Sequence, residues 1–441
     1  MNFEDFNINK PIKNALTDIE YIQATPIQEQ AFSKIMSGRD FVGIAQTGTG
    51  KTMAYLLPIL TQLKFSVQLH PRVLIIVPTR ELVLQVVNEA ETLSKYMNLR
   101  IQGIYGGTSI NTQSDMVAEG IDILVATPGR LMDMVLCGAL RLKSVQKFVI
   151  DEVDEMFNLG FRNQIVHLLE LLPKRRQNLM FSATITSGVN FIIDEYFDLP
   201  DRVEIVSHGT PIEKIIQIAY HVPNFYTKAN LLSHLLNNES DFDKVLIFVA
   251  NKKLADRLYQ ELEPKFPNQF GVIHSNKSQN LRINTVKRFQ DGTHRALIAT
   301  DIVARGLDVK NVSHVINFDT PEEPLNYLHR IGRTGRADKD GTAISFINEM
   351  EQDAQINIEE MMKKPIPLFQ IPAEVEISEI YSDEERPCLF DKSYRKGLSA
   401  NVATGGFHEK SKKNQKVNLG GSYKFKIKEK YKKPKTRGPK K

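Results

Sequence analysis

Short, nearly continuous apolar runs alternate with amphipathic stretches over the first 206 residues. The runs Phe41 to Ala45, Val73 to Pro78, Ile123 to Thr127, Phe148 to Asp151 and Asn178 to Ser182 are predicted strands. Lacking regular polar alternation, they read as strands buried on both faces, as in a parallel sheet. Stretches such as Arg80 to Tyr96 carry apolar residues at helical spacing and supply the crossover helices. A polar break at Ser207 to Pro211 reads as a linker. The pattern then restarts with Val245 to Ala250, Gly271 to His274, Ala296 to Thr300, Val315 to Phe318 and Thr342 to Ile347. Two α/β domains are therefore expected, residues 1–206 and 214–370, joined by 207–213, each a parallel sheet flanked by helices. After about Pro367 the periodicity fades into an acidic stretch, Glu374 to Glu385, so residues 371–441 are predicted to be a disordered tail.

Composition narrows the setting. At 41% hydrophobic and 25% charged residues, the 441-residue chain is globular rather than disordered or fibrous. Two cysteines, Cys137 and Cys388, exclude a disulfide framework and a Cys-rich zinc module, and they suit a reducing cytosol. The acidic start Met-Asn-Phe-Glu-Asp is no signal peptide, and the longest apolar run, around Ala54 to Leu63, is too short to span a bilayer. A cytoplasmic protein with no membrane association is expected. The net charge of +5 conceals an asymmetry: residues 411–441 hold twelve lysines and Arg437 against one acid, Glu429, a balance of +12 that leaves the rest at −7. A basic tail on a mildly acidic body suggests a polyanionic partner.

The candidate chemistry begins where the first strand ends. Ala45-Gln46-Thr47-Gly48-Thr49-Gly50-Lys51-Thr52 lies between that strand and a helical pattern, the setting of a phosphate-binding loop. Lys51 would neutralise the β- and γ-phosphates, and Thr52 would offer a hydroxyl to Mg²⁺. Ala45 stands where the general pattern has Gly. Asp151-Glu152-Val153-Asp154 ends another strand, from which Asp151 can reach the Mg²⁺ and Glu152 can orient and deprotonate water. In the second domain, His329-Arg330-Ile331-Gly332-Arg333-Thr334-Gly335-Arg336 offers Arg333 and Arg336 as arginine fingers. Such a site is complete only when the lobes close, which makes ATP a switch.

Taken together, these motifs resemble the DEAD-box ATP-dependent RNA helicases of superfamily 2, with a bacterial RhlE-like look. The resemblance runs in order from Phe3 to Arg336. It adds Thr25-Pro26-Ile27-Gln28, Pro78-Thr79-Arg80-Glu81-Leu82, Gly106-Gly107, Thr127-Pro128-Gly129-Arg130 and Ser182-Ala183-Thr184 in the first lobe. The second contributes Leu246-Ile247-Phe248, Gln279 with Arg282, and Ala299 to Asp308. The resemblance implies two tandem RecA-like domains, ATP and Mg²⁺ as ligands, and RNA as partner. It implies that Gln28 reads the adenine edge, with Tyr21 or Phe3 beside the base, and that Asp308 contacts the ribose. Asp154, Ser182 and Thr184 would couple hydrolysis to strand separation, and His329 would tie the second lobe to them. RNA would run over Pro78, Thr79, Arg80, Gly106, Gly107, Thr127, Pro128, Gly129 and Arg130, then Phe248, Gln279, Arg282 and Thr300. These types suit backbone contacts, which carry no base sequence. Phe248 also suits a purely core role. Three departures from the family stand out: Val153 for Ala, where intact activity is expected; Glu20 for Gly at the adenine turn; and Ser275-Asn276 for Gly-Asp near Gln279.

In the tail, Tyr423-Lys424-Phe425-Lys426-Ile427-Lys428 interleaves aromatic, apolar and basic residues, a pattern for stacking on bases while following phosphates. The tail is expected to be an RNA tether on a monomeric enzyme. A DNA translocase on the same scaffold and an ATP-gated RNA clamp are the competing readings.

Overall fold

The computed structural model describes residues 1–46, 48–205, 215–238, 242–301, 312–335, 341–382 and 385. The first sheet has seven strands: β1 (Phe41–Ile44), β2 (Val73–Ile76), β3 (Ile101–Ile104), β4 (Ile123–Ala126), β5 (Lys147–Asp151), β6 (Gln177–Ser182) and β7 (Asp201–Glu204). Their order is β3-β4-β2-β5-β6-β1-β7, and every pairing is parallel. The second sheet comprises β8 (Ile215–His221), β9 (Val245–Phe248), β10 (Phe270–Ile273), β11 (Ala296–Ala299), β12 (His314–Asn317), β13 (Gly341–Ile347) and β14 (Leu368–Phe369). Its order, β10-β11-β9-β12-β13-β8-β14, repeats the first strand for strand.

Each central strand is apolar throughout because successive residues feed different cores. Phe41 joins the cluster of Ile27, Tyr55 and Leu179, whereas Val42 joins Leu131, Ile150 and Met180 on the opposite face. At roughly 1.5–3 kcal/mol per buried large side chain, these two faces supply the main stabilisation of the sheet. In the second lobe a cation is buried as well. Lys228, 1% exposed, reaches Glu351 Oε2 at 2.7 Å and Asp319 Oδ1 at 3.4 Å, over the ring of Phe318.

The departure at Glu20 has a clear backbone consequence. After the helix Lys10–Asp18, the Tyr21 N–H donates to Leu16 O and the Glu20 N–H to Thr17 O, the pair of bonds that closes a Schellman motif. That motif places Glu20 at φ +57°, a conformation that favours Gly. The turn forms despite its side chain, at a cost of about 1–2 kcal/mol for a left-handed L-residue. Glu20→Gly is expected to raise stability by up to about 1 kcal/mol, after Gly's greater entropy loss is deducted. Glu20→Ala, which keeps the strain, should leave the thermal unfolding midpoint unchanged.

Residues 371–382, expected to open the disordered tail, are laid instead along the start of the helix Phe225–Asn238. Asn224 Nδ2 donates to Ser378 O and Asn230 Nδ2 to Glu376 O, while the Ser378 N–H donates to Thr227 Oγ1. Val375 is buried in the core beside Phe225. The Phe225 N–H, the first of its helix, donates to Glu385 Oε1 at 2.7 Å. Acidic residues suit a helix start, so the charge run that reads as solvated is partly a docked strap.

Candidate active site

The site gathers at the carboxyl ends of neighbouring strands, where ligands of open parallel sheets bind. In the first sheet β5, β6 and β1 are adjacent, which brings together the segments that follow them. The loop after β1 turns at Gly48 and Gly50, with φ of +84° and +87°, and Gly50 caps the helix Lys51–Gln62. A Cβ on Gly50 would lie 2.4 Å from Gln28 Nε2, so this position requires Gly on space as well as on φ. Gln28 clamps the loop: Nε2 donates to Gly50 O at 3.1 Å, and Oε1 accepts from the Thr25 N–H at 2.9 Å. Thr49 Oγ1 donates to Gln46 O across the loop, and the Ala45 N–H joins it to Ser182 O.

Lys51 is buried at the head of that helix, and its Nζ has no hydrogen-bond partner among the described residues. Opposite it stand the acids at the end of β5. Asp151 Oδ2 accepts from Tyr55 Oη at 3.0 Å, and Oδ1 accepts from the Glu152 N–H at 3.0 Å. Burial raises the Asp151 carboxyl, and Lys51 opposes that rise. Glu152 sits at φ +53°, a strained conformation of the kind that concentrates at functional sites. Burial pushes its carboxyl up to about 7, with Lys51 and Arg333 drawing it down and Asp151 and Glu155 pushing it up. The carboxylate form, which a base needs, is thus favoured by the two cations that face it.

Asp154 joins this motif to Ser182-Ala183-Thr184. Its Oδ2 accepts from the Ala183 N–H, the Thr184 N–H and Thr184 Oγ1, all within 3.1 Å, while Ser182 Oγ donates to Thr184 O. The second lobe arrives through His329, whose Nδ1 lies 2.7 Å from Glu155 Oε1, and through the buried Arg333. Lys51, Glu152, Asp154, Glu155, Ala183, His329 and Arg333 line one small cleft. The residues fit Mg²⁺ and a polyphosphate: a buried ammonium without a partner, a hydroxyl at Thr52 and a carboxylate at Asp151. Two hard oxygen donors suit Mg²⁺ held jointly with phosphate oxygens.

Other expected contacts separate into engaged and core residues. Tyr21, 48% exposed, is open to a base, but Phe3, 3% exposed, packs on Phe6 within the core, which corrects its placement beside the base. Of the two roles open to Phe248, the structure favours the core one: it is 2% exposed, with the Arg330 guanidinium 5.0 Å from its ring. Pro78, Thr79 and Arg80 follow β2, Gly106 and Gly107 follow β3, and Thr127, Pro128, Gly129 and Arg130 follow β4. Thr79 Oγ1 caps the helix Arg80–Leu93, and Arg80 lies against Gly107. Arg130 is already committed within the lobe, donating to Gln113 Oε1 and Thr108 O. Gln279 and Arg282 converge, but on Glu81: Nε2 of Gln279 at 3.3 Å and Nη2 of Arg282 at 2.5 Å from its Oε1. Thr300 follows β11 and precedes Asp301, which pairs bidentately with Arg330. Thr47, Asp308 and Arg336 lie outside the described residues, as do the linker and the basic tail.

Glu81, Glu155 and Tyr55 hold places in the site that the sequence motifs do not assign. Glu81 lies inside Pro78-Thr79-Arg80-Glu81-Leu82, Glu155 adjoins Asp154, and Tyr55 falls three and four residues after Thr52 and Lys51, on the same helix face.

A pair of parallel-sheet lobes with a phosphate loop in one and arginines in the other defines the class of two-lobed RecA-like nucleotide-driven motors. Comparison with known proteins narrows this class. Residues 25–192 match the DEAD/DEAH box helicase family and residues 227–338 the helicase conserved C-terminal domain. The chain is 36% identical over 387 residues to the ATP-dependent RNA helicase RhlB of Shewanella sediminis, covering 86% of this chain and 88% of that protein. It is 36% identical over 373 residues to the ATP-dependent RNA helicase DeaD of Buchnera aphidicola, covering 84% of this chain but 61% of that longer protein. Among solved structures, S. cerevisiae Dbp5 bound to RNA and ADP BeF3 superposes with a TM-score of 0.75 at 26% identity, covering 85% of this chain and 96% of that one. The chain belongs to the DEAD-box family of ATP-dependent RNA helicases. Among the described residues, no helix is long and apolar enough to cross a membrane.

Proposed function

We infer that the chain couples RNA-stimulated ATP hydrolysis to closure of its lobes and to local, non-processive separation of short RNA duplexes or remodelling of RNA–protein particles. The observation that carries this reading is the single cleft in which Lys51, Glu152 and Asp154 of the first lobe meet His329 and Arg333 of the second. In it Lys51 neutralises the β- and γ-phosphates, Thr52 and Asp151 hold Mg²⁺, and Glu152 orients and deprotonates water. Arg333, with Arg336, neutralises charge that develops on transfer. Each Gln28 amide atom has used one of its two hydrogen-bonding capacities within the protein. One donor and one acceptor remain, matching the N7 acceptor and N6 donor of adenine. Tyr21 packs beside the base and Asp308 serves the ribose. Pro78, Thr79, Arg80, Gly106, Gly107, Thr127, Pro128, Gly129, Arg130 and Thr300 form the RNA path, while Gln279 and Arg282 act through Glu81 to join the lobes.

The first lobe is assigned to 1–206, and the second, from 214, extends past the expected boundary at 370 to take in the docked segment 371–382. The motif pattern and composition of the sequence are the ground for placing the chain as an RhlE-like, cytoplasmic monomer. The discriminating experiment measures ATPase activity with RNA and DNA side by side, together with separation of a short duplex. Stimulation by RNA alone, with strand separation, is expected. Activity indifferent to RNA would sink the reading; equal stimulation by DNA points to a DNA translocase, and stimulation without separation to an RNA clamp.

The basic tail acts as a tether that raises the local RNA concentration. Removing residues after Gly397 is expected to raise the apparent KM for RNA and flatten its salt dependence, with kcat retained. RNA affinity unchanged by that truncation, measured by fluorescence anisotropy at two salt concentrations, would exclude the tether.

A further inference from the structure

The surroundings of one buried phenol carry a role that the motifs do not assign. Tyr55 lies on the helix that begins at Lys51, fully buried, with its ring 5.3 Å from that of Phe181. Packing explains the ring but not the hydroxyl. Tyr55 Oη donates to Asp151 Oδ2 at 3.0 Å. A phenol has one proton, and here it goes to the carboxylate. On Asp151, the Glu152 N–H holds Oδ1 while Tyr55 holds Oδ2, which fixes the rotation of the carboxylate.

We propose that Tyr55 is a positioning residue for the Mg²⁺ site, its hydroxyl holding Oδ2 of Asp151 and so setting which lone pairs that carboxylate presents to the cation. This rests on the reading of Thr52 and Asp151 as the Mg²⁺ ligands. The bond from Tyr55 to Asp151 is of the kind that orients metal ligands from behind and whose loss typically weakens metal affinity about 10–100-fold. A Phe would fill the same space, provide the same ring contact and leave Asp151 Oδ2 unheld.

The test is binding of a fluorescent ATP analogue to the full chain, with Mg²⁺ titrated in one arm and EDTA present in the other. For Tyr55→Phe, the half-saturating Mg²⁺ concentration is expected to rise about tenfold, with affinity in EDTA within about twofold of the parent chain. A structural role alone would weaken both arms equally, and that result overturns the proposal. So does an unchanged Mg²⁺ midpoint. If the parent chain binds the analogue without regard to Mg²⁺, the ligand assignment beneath the proposal fails instead. Should Tyr55→Phe not fold, Tyr55→Met, with a slimmer side chain and no hydroxyl, carries the same test.

Discussion

Glu152→Gln is expected to slow ATP hydrolysis at least about a hundredfold, the lower end of what a positioned general base contributes. Gln keeps the shape of Glu but cannot accept the proton of an attacking water. The bond that fixes the local backbone, from the Glu152 N–H to Asp151 Oδ1, does not involve the side chain and survives the change. Lys51, Asp151 and Arg333 remain in place, and one negative charge is removed from a cluster in which Asp151 and Glu155 repel it. Nucleotide should therefore bind at least as well as before. Hydrolysis stalled after binding would hold the lobes closed, so RNA should dissociate more slowly when ATP is present. Single-turnover hydrolysis and RNA dissociation rates measure the two effects. An unchanged hydrolysis rate would place the base elsewhere.

The largest loss of stability is expected from Lys228→Met. The ammonium is the only counter-charge the described structure shows for two carboxylates, Asp319 and Glu351, that are fixed by other bonds. Asp319 Oδ2 accepts from the Ala250 N–H just after β9, and Glu351 accepts from the Thr320 and Asn348 N–H groups. Burial raises the Glu351 carboxyl, with Lys228 drawing it down and Asp319 pushing it up. Met fills most of the space and leaves two facing acids uncompensated. Breaking a buried ion pair in this way costs about 3–5 kcal/mol. Two lobes need not unfold as one transition, so the measurement is hydrogen exchange or calorimetry resolved for the second lobe. Neutralising all three, with Lys228→Met, Asp319→Asn and Glu351→Gln together, should recover part of the loss. A Lys228→Met protein as stable as its parent would show that the triad contributes nothing net.

The central strands were legible because a strand between two cores must be apolar at every position. The missed strands are β3, β7, β8 and β14: three of these are edges, and β8 lies next to one. In β3, β7 and β8 exposure varies from residue to residue, as in Asp201–Glu204, where Val203 alone is buried, and β14 is two exposed residues, so continuous apolar runs do not mark them. The phosphate loop was legible because its Gly, Lys and Thr are contiguous and each carries its own chemistry. Glu81 and Tyr55 were not, because their roles come from residues about two hundred and one hundred positions away, which no local pattern records. Phe248 shows a different limit. An apolar residue at a strand end has the same spelling whether it faces a ligand or a core, and only the overlying Arg330 decides. Glu20 shows the opposite case, in which the missing Gly correctly located a left-handed turn that the chain forms anyway.

The shared strand order has a stoichiometric consequence. In that order β8 stands where β1 stands in the first lobe, and the helix Phe225–Asn238 stands where Lys51–Gln62 does. In one lobe the start of this helix presents an unpartnered lysine; in the other its first N–H is already bound to the carboxylate of Glu385. The chain has thus filled with its own anion the place where its twin half would receive a phosphate. Among the described residues, the doubled plan therefore leaves one such berth open, at Lys51.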